Sequence, residues 1–175
     1  MVGSTLVVVA VGRVAPEKNL DLLVSAFRKI RTVQPDARLV VVGDGPSRVW
    51  LETETPDAVF AGRRLGEDLA AHYASADLLL FPSLTETFGN VTLEAMASGV
   101  AVLAFDYGAA GQSVVSGVHG WTVPYGDRSA FERAAECAVA DWPHLRKLGS
   151  QGRQVAETMA WTEIVAEVLS IYSEA

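Results

Sequence analysis

Six short apolar runs, each bounded by Gly, Pro or polar residues, constrain this chain more than any other feature: TLVVVAVG (5–12), RLVVVG (38–43), AVFAG (58–62), DLLLFPS (77–83), VAVLAF (100–105) and GWTVP (120–124). They read as strands, and they are continuously apolar instead of alternating, which is the pattern of strands buried on both faces of a parallel sheet. Between them lie stretches of helical period. NLDLLVSAFRKIRTV sets Leu20, Leu23, Val24, Phe27 and Ile30 on one face, and EDLAAHYASA and VTLEAMASG repeat the pattern on a smaller scale. Strand and helix in alternation mean βαβ units, so the expectation is a doubly wound, Rossmann-like α/β fold with a six-stranded parallel sheet. Two or three helices are expected to close the chain after Asp127, and no repeat or linker divides residues 1–175, which read as one domain.

With 175 residues, a domain of this kind buries roughly 70% of its unfolded surface, enough for a substantial core. The formal net charge of −7 argues against a nucleic-acid surface, which needs clustered Lys and Arg. No apolar run approaches the ~18 residues that span a bilayer. The opening MVGSTLVVVAVG has neither a basic region nor a small-residue cleavage site, so it reads as the first strand and not as a signal peptide, with a cytoplasmic location expected. The single cysteine, Cys137, lies in the helical FERAAECAVADW and is expected to be a small buried hydrophobe.

Doubly wound sheets bind ligands at the carboxyl ends of their strands, so the loops there carry the functional reading. GRVAPEKN after the first strand presents Arg13 and Lys18 where a helix begins, and two cations beside a helix start suit a diphosphate. GDGPSR after the second strand is not a dinucleotide fingerprint: Gly43 and Gly45 would need a third glycine where the chain has Arg48. A Walker loop fails as well, because the segment from Gly12 to Lys18 lacks its second glycine and no Ser or Thr follows the lysine. After the fourth strand, FPSLTETFGNVTLEAM sets Glu86 just before a helix start and Glu94 about one turn inside it. Backbone amides near Phe88, Gly89 and Asn90 would point out of that start as donors, and carboxylates are good acceptors for paired hydroxyls. A polyhydroxylated ligand carrying phosphate fits this set, although a glutamate in a first helical turn also has a purely structural use.

GRVAPEKNLDLLVSAF, LVVVGDGPSR, VFAGRR, YASADLLLFPSLTETFGNVTLEAMASGVAVLAF and GVHGWTVPYGD occur here in the order and spacing of the C-terminal half of the retaining nucleotide-sugar glycosyltransferases of two-domain GT-B fold. The chain resembles that family from about residue 5 to residue 171, most recognisably in the pair Glu86 and Glu94. Its ASADLLLFPSLTETFGNVTLEAMASG looks most like members that transfer mannose from GDP-mannose to lipid or polysaccharide acceptors. The resemblance implies that Arg13 and Lys18 neutralise the donor diphosphate and that Glu94 binds the ribose hydroxyls. It implies that Glu86, with Phe88, Gly89 and Asn90, contacts the transferred sugar, so that Arg13, Lys18 and Glu86 are the residues closest to the chemistry. Gly43, Asp44, Gly45, Gly62 and Arg63 would frame the nucleobase. The donor would be GDP-mannose or a UDP-sugar, with no metal and no further cofactor.

The resemblance also implies an N-terminal acceptor domain that these residues do not supply, and through which alone a membrane would be touched. Without it the chain would be inactive as an enzyme. Two departures are visible: Val100 and Ala101 stand where relatives usually have a proline, and Gln112 where many have an acidic residue. His119 reads as a turn residue, and His72 and His144 as helix residues without a role in chemistry. Two other readings compete with the glycosyltransferase: a nucleotide-sugar epimerase of the same fold, disfavoured by the Glu86 and Glu94 arrangement around FGN, and a noncatalytic sugar-nucleotide binding module.

Overall fold

Strand β1 (Val7–Val11) lies inside the sheet because both of its faces are apolar; Val8 and Val9 are completely buried on opposite sides. In the computed structural model, which describes residues 5–85 and 90–159, the other strands are β2 (Arg38–Val42), β3 (Val59–Gly62), β4 (Leu78–Phe81), β5 (Ala101–Phe105) and β6 (Gly120–Val123). All pairings are parallel and the order is β3-β2-β1-β4-β5-β6. The order reverses direction between β1 and β4, which makes that junction the topological switch point of a doubly wound sheet.

The helices are α1 (Leu20–Val33), α2 (Arg48–Glu54), α3 (Gly66–Ala74), α4 (Asn90–Ala97), α5 (Gly108–Ser113), α6 (Arg128–Ala138) and α7 (Trp142–Thr158). A single 3-10 turn, Pro16–Lys18, precedes α1. Successive strand residues point to opposite faces, and the core divides accordingly. Val8, Ala10, Leu78, Leu80, Leu103 and Phe105 meet α1, α2 and α6 on one side; Val9, Leu79, Phe81, Val102 and Ala104 meet α3, α4 and α5 on the other. The five residues expected on the inner face of the first helix are all buried, joined by Leu22 and Ala26.

All six expected strands form, within a residue or two of the boundaries read from the sequence, and two helices close the described chain after Asp127. Helices α2 and α5 go beyond the sequence reading, and Cys137 corrects it: the thiol is exposed, because the inward face of α6 is taken by Phe131, Ala135 and Ala138.

Helix α7 passes the beginning of β5 so closely that a Cβ on Gly149 would stand 2.0 Å from the Gly99 carbonyl oxygen. Leu145 and Leu148 join the first apolar cluster on one side of that crossing, and Val155 and Ala156 pack against the second beyond it. Gly149→Ala is therefore expected to push α7 off the sheet and to cost about 1–3 kcal/mol, as overpacking does. Urea unfolding measures this directly, and an unchanged midpoint would show that α7 is not seated against β5.

Candidate functional site

The loops that follow β1 and β2 continue the sheet beyond the strands. The Gly12 amide donates to the Val42 carbonyl, the Val14 amide to the Asp44 carbonyl and the Ser47 amide to the Val14 carbonyl, each at 3.0 Å. This requires backbones to meet with no side chain between them. Gly43 has φ +146°, and a Cβ there would sit 1.8 Å from the Gly12 oxygen; one on Gly45 would sit 2.3 Å from the Val14 oxygen. The two glycines of GDG thus serve loop packing. The β3 end is fastened in the same way, the Gly43 amide donating to the Gly62 carbonyl at 2.9 Å.

On the other side of the switch point, Asn19 ties the β1 loop to the end of β4. It is buried in left-handed conformation with φ 55°, donates its amide to the Pro82 carbonyl at 3.2 Å and accepts from the Arg128 guanidinium at 3.1 Å. Arg128 also reaches Asp21 at 2.8 Å. Lys18, beside it, donates to Ser83 Oγ at 3.3 Å and to the Thr85 carbonyl at 3.4 Å, with Nζ 5.7 Å from the centre of the Phe81 ring. Arg13 remains 67% exposed, and its contact with Glu17 at 3.3 Å is a surface pair of the kind worth about 0–1 kcal/mol.

Two hollows meet at Arg13. The smaller is bordered by Arg13, Lys18, Phe81, Pro82 and Ser83 at the ends of β1 and β4. The larger, of about 680 Å³, opens over the ends of β1, β2 and β3 between Arg13, Gly43, Asp44, Gly45 and Arg63, with Arg64, Leu65 and Leu69 completing its wall. The structure therefore brings together Arg13 and Lys18, and Arg13 with Gly43, Asp44, Gly45 and Arg63. Asp44 is partly engaged already: Oδ1 accepts from the Gly45 amide at 2.8 Å and Oδ2 lies 3.4 Å from Arg48. Arg48 itself is held by Glu52 at 2.8 Å, a hydrogen bond that raises its pKa above the ordinary value against the opposing effect of desolvation.

Asn90 opens α4 and is exposed. Glu86, Phe88 and Gly89 lie outside the described residues. Glu94 stands on α4 at the solvent surface and borders neither of the two hollows; it edges a third, with Leu93, Ala97, Ala156 and Met159. Its carboxylate nevertheless has a partner that sequence reading missed. The Tyr73 hydroxyl, from the last turn of α3, donates to Glu94 Oε2 at 3.0 Å, and Tyr73 is 1% exposed. Nothing in the pattern of EDLAAHYASA separates this tyrosine from an ordinary core aromatic. His119 is a buried turn residue, its Nδ1 3.3 Å from the Val115 amide and 3.2 Å from the Ser113 carbonyl, and His72 and His144 lie on α3 and α7. Among the described residues no group of three or more His, Cys, Asp or Glu is gathered as a metal site, and no helix is long and apolar enough to cross a membrane.

A parallel sheet whose switch point gathers cations around an open crevice defines a class of doubly wound ligand-binding domains. The particular family follows from comparison: the model for glycosyl transferases group 1 matches residues 5–141, and the chain belongs to that family. It is 38% identical over 166 residues to a GDP-mannose-dependent alpha-mannosyltransferase of Mycolicibacterium smegmatis, an alignment covering 93% of this chain and 41% of that protein. The pneumococcal O-GlcNAc transferase GtfA, solved in complex with UDP and GlcNAc, superposes with a TM-score of 0.81 at 21% identity over 97% of this chain and 35% of that one. The C-terminal domain of a glycosyl transferase group 1 family protein (LpcC) from Francisella tularensis superposes with a TM-score of 0.75 at 23% identity, covering 87% of this chain and 85% of that one. The chain spans about 40% of the length of the curated relatives it matches, and its fold is the C-terminal half of the GT-B architecture.

Burial first, and the Glu94 charge second, raise the Tyr73 pKa far above its ordinary 10.0. Because the folded value lies above the unfolded one, the phenol's contribution to stability is complete below about pH 10 and is lost as pH rises beyond it. The fall in stability between about pH 9 and about pH 11 is accordingly expected to be shallower in Tyr73→Phe, which has nothing to ionise. Urea midpoints across that range test this; parallel slopes for the two proteins would contradict it.

Proposed function

We propose that the chain is the donor-binding domain of a retaining glycosyltransferase, which moves a hexose from a nucleotide diphosphate sugar to a lipid or saccharide acceptor. The observation that carries this reading is the position of Arg13, which borders both the small hollow shared with Lys18 and the wide cleft of Gly43, Asp44, Gly45 and Arg63. A diphosphate bridging the two would have its nucleobase over β1 to β3, with the ribose and the transferred sugar toward α4. GDP-mannose is the first donor to test, in keeping with the name of the mannosyltransferase relative, and a UDP-sugar is the second.

Breaking the sugar–phosphate bond leaves the full charge of a diphosphate on the leaving group. Arg13 and Lys18 would meet that charge as preorganised donors without needing a metal ion. The amides at the start of α4 and Glu86 are assigned to the sugar, and Glu94 to the ribose. No protein nucleophile is assigned, because the reading rests on stabilising the departing group and not on a covalent intermediate. The acceptor and the remaining machinery belong to a second, N-terminal domain, in line with a chain that spans about 40% of its relatives' length. This domain alone is expected to bind donor without turnover, at a cytoplasmic location where any membrane contact is made by the other domain.

Calorimetric titration with GDP, UDP, GDP-mannose and NAD tests this reading. A nucleoside diphosphate is expected to bind more tightly than NAD, Glu94→Ala to weaken it by about 1.5–3 kcal/mol, and Glu86→Ala to leave it nearly unchanged while weakening GDP-mannose. Equal or tighter NAD binding would overturn the donor assignment.

A further inference from the structure

Tyr73 and Glu94 form a side-chain contact that joins the buried core to a residue of the proposed donor site on α4. Tyr73 is almost wholly enclosed, in the apolar cluster that includes Val9, Leu79, Phe81, Ala95 and Met96, while the glutamate it touches is at the surface. A glutamate on an exposed helical face ordinarily samples several rotamers, and it must give that freedom up when it takes a ligand. Here one oxygen is already held: Tyr73 donates to Oε2 at 3.0 Å, from a ring that packing prevents from turning away.

We infer that Tyr73 is a positioning residue for ligand ribose, fixing the Glu94 carboxylate in the orientation that accepts both vicinal hydroxyls. An ionised carboxylate offers about four acceptor directions on its two oxygens. One phenol on Oε2 uses one of them, so Oε1 and the second direction of Oε2 remain for a pair of hydroxyls. The phenol is protonated, and so a donor, near neutral pH. This inference rests on the assignment of Glu94 to ribose made above. It is also distinct from a plain structural role, in which the tyrosine hydroxyl would only need some partner for burial.

The two roles differ in what they ask of the ligand. Tyr73→Phe keeps the ring and its packing and removes only the donor, so the variant is expected to fold. The titrant is GDP, or UDP where that binds more tightly, beside its 2′,3′-dideoxy counterpart. For the parent, the ribonucleotide is expected to bind more tightly than the dideoxy form. Tyr73→Phe should lose about three- to tenfold in affinity for the ribonucleotide, within the range of a charged hydrogen bond, and nothing for the dideoxy form. Glu94→Ala should remove the preference for the ribonucleotide altogether. If Tyr73→Phe binds both ligands like the parent while Glu94→Ala loses the preference, the positioning role is wrong and the ribose assignment stands. If Tyr73→Phe weakens both ligands equally, the tyrosine acts only through the fold and the inference also fails. If Glu94→Ala keeps the full preference of the parent, the assignment of Glu94 to ribose is what fails, and the role of Tyr73 goes with it.

Discussion

Two missing Cβ atoms decide whether this crevice exists. The loops after β1 and β2 are joined through backbone hydrogen bonds that run past the ends of the strands, and Gly43 and Gly45 face the Gly12 and Val14 carbonyls at distances where no side chain fits. Any larger residue at either position would part the loops and widen the wall from which Arg13 projects. The hydrogen bonds also answer the usual difficulty of a loop beside a binding site, whose amides and carbonyls need partners when water is displaced. Here the neighbouring loop supplies them, so a ligand over this wall meets a surface already satisfied and stiff. Asn19 does the same toward β4, using a side chain where the other wall uses backbone.

The charge distribution follows a different rule from the packing. The molecule as a whole is acidic, at −7, yet Arg13, Lys18, Arg63 and Arg64 collect around the carboxyl ends of β1 to β4. Arg13 and Arg64 are paired with Glu17 and Asp68 across exposed contacts of 3.3 and 3.1 Å. Such pairs contribute about 0–1 kcal/mol, so a diphosphate competes with little. An acidic surround and a cationic crevice also favour an anion that enters the crevice over one that settles elsewhere on the surface.

The strands were legible because parallel strands buried on both faces carry an uninterrupted apolar signal, and α1 because its face repeats over fourteen residues. RVWLETE and GAAGQS, the sequences of α2 and α5, span only two turns or fewer and have no comparable period, so their helices come from tertiary context and not from pattern. Cys137 was misjudged for a related reason. Its composition suits a core, but the inward stripe of α6 is set by Phe131 and Ala135, and position 137 falls outside it. The cationic loop could be read from the sequence because Arg13 and Lys18 are neighbours along the chain. Asn19 with Pro82 and Arg128, or Tyr73 with Glu94, could not, since those contacts join residues from separate βα units.

The two charges proposed to meet the diphosphate and the ribose both contact aromatic residues of one apolar cluster. Phe81, which ends β4, lies under the Lys18 ammonium, and Tyr73, in the last turn of α3, donates its hydroxyl to the Glu94 carboxylate; both rings belong to the cluster that includes Val9, Leu79 and Met96. A charge above an apolar floor is screened less on that side than one in open water, so each acts on the ligand more strongly than its exposure suggests. The floor is also shared. Moving either ring requires the residues between them to repack, because interiors at this density transmit strain instead of absorbing it. On the proposed reading, in which Lys18 faces phosphate and Glu94 faces ribose, repacking around Leu79 and Met96 is the route by which a change under one would reach the other.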